Sequence, residues 1–259
     1  MPVEIAMPPA VHLRDALALI GSFPALAGVD LDVGRGEVVL VQGPNGAGKT
    51  SLLRACAGLL PVSSGEAVVL GHDLLRQPRA VRRRVALVGH ATFLYDELTA
   101  VDNVRFAVRA SGASPAGVDA AMARVGLVGR LRRTRVARLS AGQRRRVALA
   151  VLLARRPELW LLDEPHAGLD AGGRDLLDDV VREAVADGVT VLLASHEADR
   201  ARPLADRAVT MTGGRIEAAP VEVAPVEAAP VEVAEMLVMG QAVRMGGAAA
   251  RGEEPVHVA

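Results

Sequence analysis

The stretch Gly43-Pro44-Asn45-Gly46-Ala47-Gly48-Lys49-Thr50 decides the reading of this chain. An uncharged apolar run, Val38-Val39-Leu40-Val41, precedes it, and Ser51-Leu52-Leu53-Arg54-Ala55 follows without a helix breaker. Strand, glycine-rich loop and helix in that order form the context of a phosphate-binding loop. Glycines at 43, 46 and 48 allow the backbone to turn so that successive N–H groups converge on an anion. A helix beginning near Lys49 adds the positive end of its dipole. Lys49 supplies a point charge for β- and γ-phosphates, and the Thr50 hydroxyl is placed to hold Mg²⁺. Lys49 is also the only lysine of the chain, all other basic side chains being arginine or histidine. It stands where a compact ammonium fits and a planar guanidinium does not.

Length and composition set the frame. A chain of 259 residues with 51% apolar side chains can build a large α/β core. Aromatic residues are only 2%, so Val, Leu and Ala must fill it. The formal net charge of zero argues against a general nucleic-acid binder. One cysteine, Cys56, permits no internal disulfide and is expected as a small buried apolar residue. Residues 1–9 carry Glu4 and no basic cluster, unlike a secretory signal. No stretch reaches the ~18 apolar residues of a membrane span, so any role at a membrane is expected to come through a partner.

Taken in order, residues 11–36 read as two short strands and a turn. After the loop helix, Gly58 and Pro61 mark a stop, and 66–70 forms a short strand. Residues 84–89 read as a buried strand, and 100–135 as helical with a Ser/Gly/Pro interruption at 111–117. A helix follows over 144–154. The apolar strand Leu159-Trp160-Leu161-Leu162 ends in Asp163-Glu164, and a helix spans about 172–187. The strand 190–194 ends at Ser195-His196, and 207–216 folds as a hairpin about Gly213-Gly214. From 218 onward a Pro-Val-Glu repeat blocks helix continuation, and 218–259 is expected to be a low-complexity, disordered tail.

An apolar strand ending in Asp163-Glu164 complements the loop: Asp163 for the Mg²⁺ shell, Glu164 to activate an attacking water. Between the two elements lies Leu139-Ser140-Ala141-Gly142-Gln143, and after them Ala167-Gly168-Leu169-Asp170 and His196. These five motifs in order resemble the ABC-type ATPases over residues 11–217, with Ala141 in place of a common glycine. The resemblance implies an α/β fold with a RecA-like P-loop NTPase core, a small antiparallel β subdomain and an inserted helical subdomain at about 91–156. It implies that Gly43, Pro44, Asn45, Gly46, Ala47, Gly48, Lys49, Thr50 and Ser51 hold ATP, with Thr50 and Asp163 on Mg²⁺. Ser140, Gly142 and Gln143 would face the nucleotide of a second copy, Asp170 would connect the two sites, and Glu164 and His196 would be catalytic. Two positions depart from the family pattern. His90 stands at the Q-loop glutamine, and Ile20 stands where an aromatic stacks on adenine, with Phe23 the nearest ring.

Gly89-His90, Leu98-Thr99, Asn103-Val104-Arg105-Phe106 and the Ala141 signature further resemble the ATPase subunits of haem exporters in cytochrome c maturation. That likeness implies a homodimer, or a pair with a homologous subunit, driving an integral membrane permease from the cytoplasmic face of the inner membrane. No nucleic acid is expected, and membrane contact only through the partner, whose groove would lie around Phe93 to Thr99. The arginine runs at 82–84, 132–135 and 144–146 read as solvated faces or interface rims. Alternatives are another ABC exporter of drugs, lipids or peptides, and a soluble ABC ATPase acting on DNA or ribosomes. Only about 50 residues separate His90 from Ser140, too few for the coiled coil of DNA-repair relatives, and there is one cassette where ribosomal relatives carry two. A regulator without turnover fits poorly with Lys49, Asp163, Glu164 and His196 together.

Overall fold

The computed structural model describes residues 7–89, 92–196, 198–217 and 221–222. The chain divides into the units Met1–Pro225 and Val226–Ala259, and the described residues lie in the first.

A largely parallel sheet carries the site. Its strands are β3 (Val38–Gln42), β6 (Val85–Val88), β7 (Leu159–Asp163), β8 (Thr190–Ala194) and β9 (Arg207–Thr212), with β10 (Arg215–Ile216) closing a hairpin. The order is β10-β9-β3-β8-β7-β6, parallel from β9 to β6. Strands β3, β6, β7 and β8 are apolar at almost every position because both faces are covered. Val38, Leu40, Trp160, Leu162, Val191 and Leu193 face one core cluster, and Val39, Val41, Leu159, Leu161, Leu192 and Ala194 face the other. The two-residue side-chain period thus divides each strand between two cores.

One core lies beneath an antiparallel sheet of order β2-β1-β4-β5, built from β1 (Val11–Ile20), β2 (Phe23–Val33), β4 (Ser64–Val69) and β5 (His72–Asp73). Helix α1 (Lys49–Cys56) packs in this core, with Leu52, Leu53, Ala55 and Cys56 buried. The first two strands run ten and eleven residues, longer than the sequence pattern indicates. The cause is a bulge: the register shifts between Leu13 and Ala16, where Asp15 sits at φ 44°. A bulge inserts an unpaired residue and breaks the alternation that marks a strand.

The other core holds the helices α2 (Ala100–Ser111), α3 (Val118–Arg124), α4 (Gly129–Arg132), α5 (Ala141–Arg155) and α6 (Ala171–Ala186). Helix α5 starts three residues before the expected Arg144 because Ser140 and Gln143 form a reciprocal capping box. A short helix, α7 (Ala198–Ala201), leads from His196 toward β9.

The repeat region departs from the expectation at one point. Val221–Glu222 forms β11, antiparallel to β9 at Ala208 and Arg207. The prolines at 220 and 225 flank it and leave these two residues free to pair. The rest of the tail lies outside the described residues.

Candidate functional site

The C-terminal ends of β3, β7 and β8 meet at one edge of the parallel sheet, where open α/β folds place their ligands. The loop after β3 is tightly packed from behind. Gly43 has φ 145°, and a β-carbon there would lie 2.1 Å from the Met211 carbonyl oxygen. At Gly48, φ is 107° and the Ala25 carbonyl oxygen would be 2.7 Å away. Both glycines are obligatory because the obstruction is backbone. The hairpin turn supplies the backing: Gly214 N donates to Ala47 O at 2.8 Å, and Ala27 N to Gly214 O at 2.8 Å.

Lys49 is 7% exposed and curls over this loop, donating from Nζ to the carbonyls of Gly43 (2.7 Å) and Pro44 (3.1 Å). Its ammonium thus lies among the loop amides at the head of α1. Thr50 Oγ1 donates to Asp163 Oδ2 at 2.8 Å across 113 positions of sequence. This pair presents two hard oxygens side by side. Mg²⁺ takes one or two protein oxygens and completes its shell with phosphates and water, so Thr50 and Asp163 fit it. Among the described residues no cluster of three or more His, Cys, Asp or Glu offers a more enclosing metal site.

Glu164 follows Asp163 with φ 49°, a left-handed conformation that costs a non-glycine residue of order 1 kcal/mol or more. The strain is held from both sides. Glu164 N donates to Ala194 O at 2.8 Å, and its carbonyl accepts from Arg145 Nη2 at 2.8 Å. The carboxylate accepts from the backbone N–H of His196 (3.0 Å) and from Ser195 Oγ (3.3 Å). His196 Nδ1 stands 2.8 Å from Glu164 Oε2, with the imidazole largely exposed.

Asn45 to Ser51, Asp163 and Glu164 line one groove, together with Ile20, Phe23, Pro24, Ala25, Gly213 and Gly214. Ile20 and Phe23, the two positions expected near adenine, are exposed in this groove. The expectation for His90 lies outside the described residues.

Ser140, Gly142, Gln143 and Asp170 do not line this groove. Ser140 Oγ accepts from Gln143 N at 3.2 Å, and Gln143 Oε1 accepts from Ser140 N at 3.0 Å. Ala141 has helical backbone in the first turn, so it replaces glycine without strain. A β-carbon on Gly142 would meet nothing within 4 Å, leaving the helix N-terminus open to an approaching group. Asp170 caps α6 through Gly173 N at 2.8 Å.

Two features escaped the sequence reading. Arg145 is 7% exposed and donates to Gly89 O at the end of β6 as well as to Glu164 O. Burial holds its guanidinium below the ordinary arginine value, and the nearby Asp163 charge opposes that shift. His166, 1% exposed, bonds Asp178 Oδ1 at 2.7 Å, and Asp178 Oδ2 accepts from Arg200 Nη2 at 2.7 Å. The arginine triplet and the Pro165-His166 pair were the only local signals, and neither names its partner.

Comparison with known families decides the classification. The family pattern described as ABC transporter matches residues 26–167. The chain belongs to the ABC transporter family. Among curated relatives of this ABC protein, the daunorubicin resistance ATP-binding protein DrrA3 of Streptomyces coeruleorubidus is 41% identical over 81% of this chain and 67% of its own length. The Fe(3+) ions import ATP-binding protein FbpC of Streptomyces coelicolor is 42% identical over 81% and 62%. The chain thus spans about two thirds or less of those relatives. The cytochrome c biogenesis ATP-binding export protein CcmA of Xanthomonas campestris pv. campestris is 38% identical over 79% of this chain and 94% of its own length. Among solved structures, an ATP-binding cassette described as a dimer in a post-hydrolysis state with ADP and Pi superimposes with a TM-score of 0.74 at 25% identity, covering 82% of this chain and 98% of that one. The α/β architecture with its antiparallel and helical subdomains is that of an ABC ATPase cassette.

Proposed function

We propose that this chain is the ATP-hydrolysing subunit of an ABC transporter, binding ATP between two copies and driving a separate integral membrane permease. The observation that carries this reading is the division of the site. P-loop residues Asn45 to Ser51 line one groove with Asp163 and Glu164, which His196 touches at 2.8 Å, whereas the open N-terminus of α5 at Ser140–Gly142 lies off that groove. A head-to-tail pair brings each P-loop to the partner's helix N-terminus, whose dipole favours the γ-phosphate.

Within that arrangement the loop amides of 43–49 and the Lys49 ammonium bind the phosphates. Thr50 and Asp163 would hold Mg²⁺, which when bound neutralises phosphate charge. Glu164 takes the proton of the attacking water; the His196 N–H, Ser195 Oγ and the His196 ring fix its carboxylate. Ser140 Oγ is used as an acceptor by Gln143 N, so its proton is available to the partner's γ-phosphate. Asp170, exposed at the head of α6, faces the opposing copy.

The permease groove is lined by Ala86, Val88, Phe93, Leu94, Tyr95 and Phe106. Phe93 is 76% exposed at φ 51°, and Tyr95 packs edge-on to Phe106 at 5.0 Å. A short cytoplasmic helix of a permease fits this apolar cleft. For the transported species, Gly89-His90 and the Ser140-Ala141-Gly142 signature favour a haem exporter-type system of cytochrome c biogenesis, and CcmA relatives support it. A drug exporter is the second reading, favoured by the DrrA3 similarity.

Glu164→Gln tests the core of the reading. The variant is expected to bind ATP, elute as a dimer with it, and hydrolyse it at least ~10²-fold more slowly. Hydrolysis at the unmodified rate would remove Glu164 from the role of base. Co-purification from membranes identifies the permease, and loss of holocytochrome c on deletion separates the haem reading from the drug reading.

A further inference from the structure

Charge is sharply segregated in this neutral chain. From Ala120 to Pro157 there are eleven arginines and no acidic residue. Some of these are absorbed by the fold: Arg124 pairs with Glu183, Arg132 with Asp119, Arg144 approaches Asp96, and Arg145 is buried. Arg130, Arg133, Arg135 and Arg138 are different. All four are exposed, and among the described residues none has a carboxylate oxygen within 4.0 Å. They line two adjoining open grooves around α4, which Arg105 and Arg132 extend, and among the described residues no acidic side chain lines either groove. Val128, 57% exposed, sits beside them.

Unpaired like charges crowded on one face repel one another, so the arrangement is unfavourable until an anion covers it. The position is informative. Asn103 lines the apolar groove assigned above to the permease, and its Nδ2 donates to Thr99 O at 3.1 Å. Thr99 in turn lines the basic groove. One hydrogen-bonded step therefore separates the two surfaces, and a chain docked under a permease carries its arginines close to the bilayer.

We propose that the Arg130–Arg138 face binds the anionic phospholipid headgroups of the membrane that holds the permease. The proposal rests on the permease-docking reading above and adds a direct lipid contact to it. The geometry is that of a surface. The arginines are exposed along open grooves, whereas a free phosphate ion is best held by donors converging in a closed cleft. Among the described residues no aromatic ring lines either groove, so they offer no stacking platform for single-stranded nucleic acid.

The full chain is sedimented with vesicles of phosphatidylcholine alone and with vesicles containing equal parts phosphatidylglycerol. Binding to the anionic vesicles only, weakening as salt is raised, is expected. The combined variant Arg130→Gln/Arg133→Gln/Arg135→Gln loses about fivefold in partition per charge, roughly a hundredfold in all. The control Arg76→Gln/Arg79→Gln/Arg83→Gln removes three exposed arginines elsewhere and is expected to bind as the unmodified chain does. Equal binding to both vesicle types, or equal loss in both variants, overturns the proposal. So does release by millimolar inorganic phosphate at constant ionic strength, or arginine-dependent binding of an RNA oligomer in preference to the vesicles. ATP hydrolysis in the same samples reads the nucleotide site separately. Retained hydrolysis without vesicle binding sinks the lipid contact alone, and vesicle binding without hydrolysis supports the lipid contact while contradicting the ATPase reading.

Discussion

Arg145 Nη2 donates to the backbone carbonyl of Glu164 at 2.8 Å, from a helix that Ser140 caps and Ala141-Gly142 begin. The same guanidinium holds Gly89 O, so one buried cation ties α5 to the ends of β6 and β7. On the function proposed above, a shift of α5 would thereby be passed to Glu164, the proposed general base.

Arg145→Met keeps the length and removes every donor. Gly89 O loses its side-chain donor while Glu164 O keeps the Ala167 N–H at 3.2 Å, so the stability loss is about 1–3 kcal/mol in all. The turnover number is expected to fall on the order of 10²-fold with the KM for ATP nearly unchanged, because the base is displaced while the phosphate loop is not. Arg145→Lys restores part of the rate. Steady-state kinetics decide: a rise in KM with turnover intact would show that Arg145 does not position Glu164.

Gly43→Ala and Gly46→Ala form a matched pair. At Gly43 the new methyl meets the Met211 carbonyl at 2.1 Å, so the loop must move and ATP affinity is expected to drop at least tenfold. At Gly46, φ is 80° with nothing within 4 Å, and the cost is the left-handed strain alone, about 1–2 kcal/mol. Titration with a fluorescent ATP analogue reads both; equal losses would contradict the packing argument.

Cys56 is fully buried, and burial pushes its thiol from an ordinary 9.0 up to about 12. A folded-state pKa above the unfolded one favours the protonated native form. That stabilisation is complete below pH ~9 and is lost as pH rises from there toward 12. Native chain is therefore expected to resist aromatic disulfide reagents at pH 8 and to react once urea unfolds it. Fast stoichiometric reaction of folded protein would show an accessible thiolate. Cys56→Ala should flatten the alkaline decline in stability measured by urea titration.

The carboxylate of Asp178 sits between buried His166 and Arg200, joining the segment before Asp170 to the helix after His196. His166→Ala removes a buried partner from Asp178 and opens a gap under α6. A loss of roughly 2–4 kcal/mol is expected, seen as a lower urea midpoint. An unchanged midpoint would mean that this network holds nothing in place.

Much of the architecture was legible because its signals are local. The P-loop glycines, the unbroken apolar strands and the helix at 171–186 each follow from backbone chemistry within a few residues. Where a local device was overlooked, a boundary moved: the Ser140/Gln143 capping box starts α5 early, and the bulge at Asp15 hides the length of β1.

By itself, then, the amino-acid order determined the phosphate-binding loop, the acidic strand end and the succession of motifs, since each is written in adjacent residues. Only the tertiary structure decided that Gly214 braces the P-loop from behind, that Thr50 meets Asp163, and that Arg145 grips the backbone of Glu164. It also decided that Arg130, Arg133, Arg135 and Arg138 stay exposed and unpaired among the described residues while neighbouring arginines find carboxylates. The physical reason is distance along the chain. Contacts between residues 19 to 167 positions apart leave no periodicity to read, and pairing of a charge depends on what the fold brings within a few ångströms of it.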